Sequence, residues 1–211
     1  MIPLVNYHEL LGDDMPKVDS LSKIDIRLVS SFAAVSKRIL EIGTKHGRTT
    51  INLAKFSPKE AKVISIDKDQ SQDQSALLNY PHSFKKIKFI QADTSKYDFS
   101  ELGTFDLIFI DGCHDLPVAI EDTYNALKII KKHGFIIWHD YCDEYGNPGA
   151  AAKAADLFNL PIQPLGESLG IVDFSVNENF ATTIRPAMLI YEGVVGTQKI
   201  TADGTKGMVR G

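Results

Sequence analysis

The stretch Phe105 to Asp111, FDLIFID, places Leu107, Ile108, Phe109 and Ile110 in one unbroken apolar run. A strand with one wet face alternates apolar and polar residues. A strand that is apolar on both faces needs cover on both, which is the situation of a parallel sheet between two helical layers. The run does not stand alone. Arg38–Ile42, Lys62–Asp67, Ile87–Gln91 and Phe135–His139 read as further strands, with Arg48–Phe56, Gln72–Tyr80, Val118–Lys132 and Ala150–Phe158 as helices between and after them. Val118, Ala119, Ala126, Leu127 and Ile130 recur at helical spacing, and Gly134 is expected to end that helix near Lys132. Pro161–Leu165 and Leu169–Phe174 are too close for a crossover helix and therefore form an antiparallel pair. The expected fold is α/β and doubly wound: a mostly parallel seven-stranded sheet with a terminal antiparallel hairpin and helices on both faces.

A chain of 211 residues fits one hydrophobic core with decorations. The core is assigned to residues 38–174. Residues 1–37 form a helical extension on the substrate side, with Ile24–Val35 an amphipathic helix. Residues 175–211 form a second extension, in which AMLIYEGVV reads as a strand and the Gly-rich, polar KITADGTKGMVRG as either a disordered tail or an arm, the arm being a candidate contact for a homodimer. Lys and Arg (23) fall short of Asp and Glu (27), so the chain lacks the cation surplus of a nucleic-acid binder. No run reaches the roughly 18 apolar residues of a membrane span, and the first residues do not resemble a signal peptide. Two cysteines make no disulfide framework, so a cytoplasmic location is expected.

Between the first strand and its helix lies ILEIGTKHGRTT. Gly43 and Gly47 let the backbone turn tightly and a ligand approach it, and the following helix presents unpaired N–H groups there. Asp67 follows Gly47 by twenty residues, at the end of strand two, where a carboxylate can accept both hydroxyls of a ribose. Dinucleotide-binding loops share that acid but carry G-x-G-x-x-G. Here the spacing is G-x-x-x-G, and Glu41 would repel a pyrophosphate while attracting an ammonium.

Strands four and five end in FIDGCHD and WHDYCDEYGNPG. In an open parallel sheet, ligands bind beyond the carboxyl ends of the strands. Three of the six histidines (His46, His114 and His139) fall at such ends, joined by Asp111 and Asp140. A histidine there can act as a general base near neutral pH. Carboxylates there can hold a divalent cation such as Mg2+ or Mn2+, which would acidify and orient a substrate hydroxyl. Cys113 and Cys142, with His114 and His139, are an alternative zinc set. Tyr141 and Tyr145 are candidates to stack on a planar acceptor.

The motif E-I-G-T-x-x-G-x-T resembles the first motif of class I S-adenosylmethionine-dependent methyltransferases, especially their small-molecule O-methyltransferase branch. D-G-x-H and H-D-Y resemble macrolide-sugar O-methyltransferases and, more distantly, catechol O-methyltransferases; the likeness spans roughly residues 38–174. It implies a Rossmann-like fold and S-adenosylmethionine as cofactor, held by Glu41, Gly43, Thr44, Lys45, Gly47, Asp67, Asp93, Thr94 and Asp111. In that scheme the glycine loop meets the methionine part; Lys45, a departure from the family pattern, is placed by hypothesis near its carboxylate. Asp67 binds the ribose and Asp93 the adenine amino group. The resemblance further implies Asp111 and His114 as catalytic residues, His114 being the base. Asp111 and Asp140 would be metal ligands, with His139, where these enzymes commonly place an acid, either a third ligand or a base that replaces the metal. Lys45–His46 replaces the family's usual middle glycine. The expected partner is a small-molecule methyl acceptor. The competing readings are an N-methyl or other alkyl transferase on the same scaffold, an NAD-binding oxidoreductase, and a non-catalytic cofactor-binding or assembly module.

Overall fold

The structure is a computed structural model that describes residues 1–11, 21–69, 80, 85–142, 148–175 and 184–192. Seven strands form one sheet: β1 (Arg38–Ile42), β2 (Lys62–Asp67), β3 (Ile87–Gln91), β4 (Phe105–Ile110), β5 (Ile130–Trp138), β6 (Gln163–Leu165) and β7 (Leu169–Asp173). Their order is β3-β2-β1-β4-β5-β7-β6. The first five strands pair in parallel, and β7 joins β5 and β6 antiparallel. The order reverses between β1 and β4, which is where such sheets open a crevice for ligands.

The apolar run in β4 now has its reason. Ile108 and Ile110 pack with Leu40, Ile42, Ile64 and Ile136 on one face. Leu107 and Phe109 pack with Ile39, Val63 and Ile137 on the other. The first face is covered by α3 (Leu116–Ile129) and α4 (Ala150–Leu157), the second by α1 (Lys23–Ala33) and α2 (Arg48–Phe56). Each such side chain removed from water contributes about 1.5–3 kcal/mol, so both layers are held by the same strand.

Three elements differ from the sequence-based expectation. Helix α3 stops at Ile129, and β5 begins at once with Ile130 in extended geometry. A register irregularity separates the Phe105–Ile130 and Leu107–Phe135 pairs, and Lys131 there binds Asp106 at 2.6 Å. Gly134 fits because a Cβ would lie 2.6 Å from Ile130. The N-terminal extension is less helical than expected: among the described residues before β1, only Tyr7–Glu9 and α1 are helical. Ser22 caps α1 by accepting from the Asp25 N–H.

The third difference is the segment read as a strand, AMLIYE, which lies in a helix, α5 (residues 184–192). Ile184, Met188 and Tyr191 recur at i, i+4 and i+7, and they, not an alternating set, meet the core. Tyr191 donates to Glu121 at 2.7 Å and Tyr124 donates to Glu192 at 2.5 Å, which docks α5 against α3. The helix expected at Gln72–Tyr80 and the polar arm after residue 192 lie outside the described residues, apart from Tyr80. No helix among the described residues is long and apolar enough to cross a membrane.

Candidate active site

The turn after β1 is shaped by two glycines. Gly43 has φ +94°, and a Cβ on it would sit 2.0 Å from the Asp111 carbonyl oxygen. Only a residue without a side chain lets the β1 and β4 ends approach so closely. Gly47, with φ +79°, is the N-cap of α2. Lys45 between them also adopts positive φ, at +47°.

Asp67 holds this turn from outside. Its Oδ2 accepts the N–H groups of Thr44 and Lys45 at 2.7 and 2.9 Å, and its Oδ1 accepts that of Asp69 at 3.0 Å. The residue expected to bind ribose therefore also organises the glycine loop, while still lining the cavity beside it. Asp93 is engaged within its own turn, by Ser95 and Lys96. Those hydrogen bonds, Ser95 first, hold its carboxyl down at about 2.

Glu41 lies beneath the loop and is 1% exposed. Its Oε2 accepts from Thr50 and from Ser65, both at 2.5 Å, and Ser65 in turn lies 2.6 Å from the Thr44 hydroxyl. Burial pushes its pKa up to about 8, against the two hydroxyl bonds and with help from the charges of Asp111 and Asp67. Sequence reasoning found Glu41 but missed Thr50 and Ser65. The available signal was a pair of hydroxyl residues on a helix and a strand that otherwise face the core.

These groups surround a cavity of about 410 Å³, within the range of roughly 300–1,000 Å³ usual for ligand sites. Glu41, Gly43, Thr44, Lys45, Gly47, Asp67, Asp93, Thr94 and Asp111 all line it, so the structure brings together the whole proposed cofactor set. The N-terminal segment contributes Leu21, whose carbonyl accepts from Arg48 at 3.2 Å.

A second cavity, of about 360 Å³, lies against the ends of β4 and β5. Its walls include Trp138, Cys142 and Ala150, and it shares Asp111, Gly112, Cys113 and His114 with the first. At its edge His139 Nδ1 donates to Asp111 Oδ1 at 2.8 Å and lies 3.3 Å from Asp140 Oδ2. His114 Nδ1 meets the same Asp140 oxygen at 2.5 Å. Asp140 itself has φ +50°. Gly149 lies against its carbonyl, where a Cβ would come within 2.0 Å.

Burial disfavours a charged His139, but the hydrogen bonds and charges of Asp111 and Asp140 outweigh it and push the imidazole up to about 10. The hydrogen bond to Asp140 likewise raises His114 above its ordinary value. Burial opposes the Asp140 carboxylate, yet the two imidazoles hold it well below the usual carboxylate range. One oxygen each from Asp111 and Asp140 and one nitrogen from His139 lie within 4.8 Å of one another, close enough to share a cation. Neither cysteine joins such a group among the described residues. Tyr141 packs its ring on Gly170 instead of lining the second cavity, and Tyr145 lies outside the described residues.

A family model described as a methyltransferase domain matches residues 40–141, a segment that holds the glycine loop and the ends of β2, β3, β4 and β5. Over residues 40–141 the chain is therefore similar to a methyltransferase domain. The chain is 30% identical over 132 residues to a Thermoplasma volcanium protein named as a cobalt-precorrin-6B C(15)-methyltransferase (decarboxylating); the match covers 58% of this chain. It is 29% identical over 113 residues, 48% of this chain, to a Dictyostelium discoideum protein named as a caffeoyl-CoA O-methyltransferase. The chain spans 65% and 42% of the lengths of these two curated relatives. Among solved structures, a candidate O-methyltransferase from Klebsiella pneumoniae superposes with a TM-score of 0.61 at 21% identity, over 80% of this chain and 86% of that one. An O-methyltransferase from Bacillus cereus, solved in complex with SAH, gives 0.60 at 18% identity, over 75% and 83%. The methyltransferase fold is thus common to chains of quite different sequence.

Proposed function

We propose that this protein transfers a methyl group from S-adenosylmethionine to a hydroxyl oxygen of a small molecule. One observation carries the reading: the two cavities share a wall, and that wall is Asp111 to His114. A donor in the first and an acceptor in the second would meet beside His114, the residue able to take a proton.

Bound S-adenosylmethionine supplies an electrophilic methyl on a sulfonium. The chain's contribution is alignment, desolvation and proton removal. Glu41, buried beneath the glycine loop, is the group to meet the methionine ammonium, and its ionisation becomes favourable beside that cation. Asp67 keeps the loop closed. His114, neutral, accepts the acceptor's hydroxyl proton, and Asp140 stabilises the imidazolium that results.

Two carboxylate oxygens and one imidazole nitrogen, clustered at one cavity edge, fit a divalent cation. Bound there, such an ion lowers the pKa of the acceptor hydroxyl and orients it. Within the pair Mg2+ and Mn2+, the nitrogen donor favours Mn2+. Asp111, His139 and Asp140 would hold it.

The name of the Thermoplasma relative supports a second reading, methyl transfer to a carbon acceptor on the same scaffold. Metal dependence and His114 separate the two: an oxygen acceptor needs its proton removed in the transfer step.

The test is calorimetric titration with S-adenosylmethionine, with and without Mg2+ or Mn2+, followed by transfer of labelled methyl to a panel of catechols and hydroxylated sugars. Saturable binding and labelled ether products support the reading. A folded protein that fails to bind S-adenosylmethionine overturns it. Binding without oxygen transfer, but with transfer to a carbon acceptor, favours the second.

A further inference from the structure

Asp122 is a carboxylate that the site described above does not use. It lies on α3 among Ala119, Ala126 and Ile129, on the stripe that faces the sheet, and it is 0% exposed. Neither of its oxygens accepts a hydrogen bond among the described residues. A buried carboxylate without donors is costly and is rarely left so without a reason.

Its surroundings supply one. Asp122 Oδ2 is 3.4 Å from where a Cβ would stand on Gly112, so the carboxylate lies directly behind the turn that leaves β4. The Thr94 hydroxyl, on the turn that leaves β3, is near enough to draw the carboxyl's pKa down but falls short of a hydrogen bond. Thr94 and Gly112 both line the larger cavity, next to Asp93. The main-chain N–H groups of Gly112 and Cys113 donate to no main-chain carbonyl among the described residues. Asp122 thus lies behind the turn that leaves β4, with the Thr94 hydroxyl of the β3 turn close by.

We infer that Asp122 is a positioning residue for the nucleoside end of the cofactor cavity: when cofactor binds, its carboxylate takes hydrogen bonds from the Thr94 hydroxyl and the Gly112–Cys113 main chain, locking the two turns together. The inference rests on the methyltransferase reading and goes beyond it, since Asp122 touches no cofactor atom itself. Charge is essential, because an ionised carboxylate accepts N–H bonds more strongly than a neutral one. Burial raises the group to about 6, Thr94 lowers it, and Glu121 on its own helix and Asp93 from the β3 turn add to the rise. Cofactor affinity is therefore expected to be full above pH 6 and to decline as the pH falls through it.

The test is S-adenosylhomocysteine binding by titration calorimetry from pH 5 to 8, on wild type, Asp122→Asn and Thr94→Val, with thermal melting as a check on folding. Asp122→Asn keeps the volume and removes the charge. It is expected to bind about tenfold more weakly at pH 7.5, to lose the decline below pH 6, and to melt no lower than wild type. Thr94→Val, which keeps the carboxylate, is expected to bind several-fold more weakly; it decides the matter if Asp122→Asn does not fold. Wild-type affinity and an unchanged pH profile in Asp122→Asn, or wild-type affinity in Thr94→Val where only that variant folds, overturn the role of Asp122 and leave the methyltransferase reading intact. Wild type that binds no S-adenosylhomocysteine at any pH overturns both.

Discussion

His139 Nδ1 stands 2.8 Å from Asp111 Oδ1, and this short contact ties the end of β5 to the end of β4 at the seam between two cavities. Asp140 extends the chain to His114. Four side chains from two strand ends thus form one hydrogen-bonded row, in which the carboxylates are fixed before any ligand arrives. Such fixed geometry spares the reorganisation that a flexible site would need.

If the row holds a cation, Asp111 is the residue it cannot lose. Asp111→Asn is expected to weaken Mn2+ binding, read by calorimetry or electron paramagnetic resonance, beyond the roughly 10–100-fold that losing a merely orienting group costs. Mn2+ bound equally well by both proteins would remove Asp111 from the ligand set.

His114 is expected to govern turnover and not cofactor affinity. His114→Ala should lower kcat by roughly 100- to 10,000-fold while S-adenosylhomocysteine binds as before. Because its hydrogen bond to Asp140 favours the imidazolium, the neutral base becomes available only above its ordinary pKa. Wild-type kcat should therefore climb as the pH rises above 7, and the His114→Ala profile should lack that climb. A flat wild-type profile with a fully active variant would place the base elsewhere.

Glu41 makes the folded protein bind a proton that the unfolded chain has released. Its pKa, raised mainly by burial from an ordinary 4.5 to about 8, means that the folded state holds more protons between those values. The sign follows from linkage: this group's contribution to stability is greatest below pH 4.5 and is lost as the pH rises through about 8. Melting temperature should fall from pH 6 to 8.5, and Glu41→Gln should remove part of that fall. An identical slope in the variant would mean that Glu41 is ionised in the free protein.

Gly43→Ala tests the contact between the first loop and β4. A methyl group there meets the Asp111 carbonyl at 2.0 Å on a backbone with φ +94°, so the cost is expected to be on the order of 3 kcal/mol or more. Denaturant unfolding measures it, and cofactor binding should fail in parallel. A variant as stable as wild type would show that the loop and β4 separate easily.

The sequence by itself determined the layers and the cleft. Unbroken apolar runs in β4 and its neighbours required cover on both faces, and the parallel pairing this implies brings the ends of β1, β4 and β5 to one edge. Residues 43, 111 and 139 were therefore legible as neighbours before any coordinate was known. The register bears this out, with Ile42 opposite Ile110 and Ile110 opposite Trp138. Local pattern suffices there because periodicity records which face of an element is dry.

Only the tertiary structure decided what depends on distance and burial across elements. It placed Asp140 between His114 and His139, put Asp67 on the loop's N–H groups, and surrounded Glu41 with hydroxyls and little else. It turned residues 184–192 into a helix, because Ile184, Met188 and Tyr191 find the core at helical spacing and a short apolar segment fits either form. Asp122 shows the boundary most clearly. An acid on an otherwise apolar helical stripe is visible in the sequence, but whether a donor reaches it depends on how turns from different strands pack, and no periodicity encodes that.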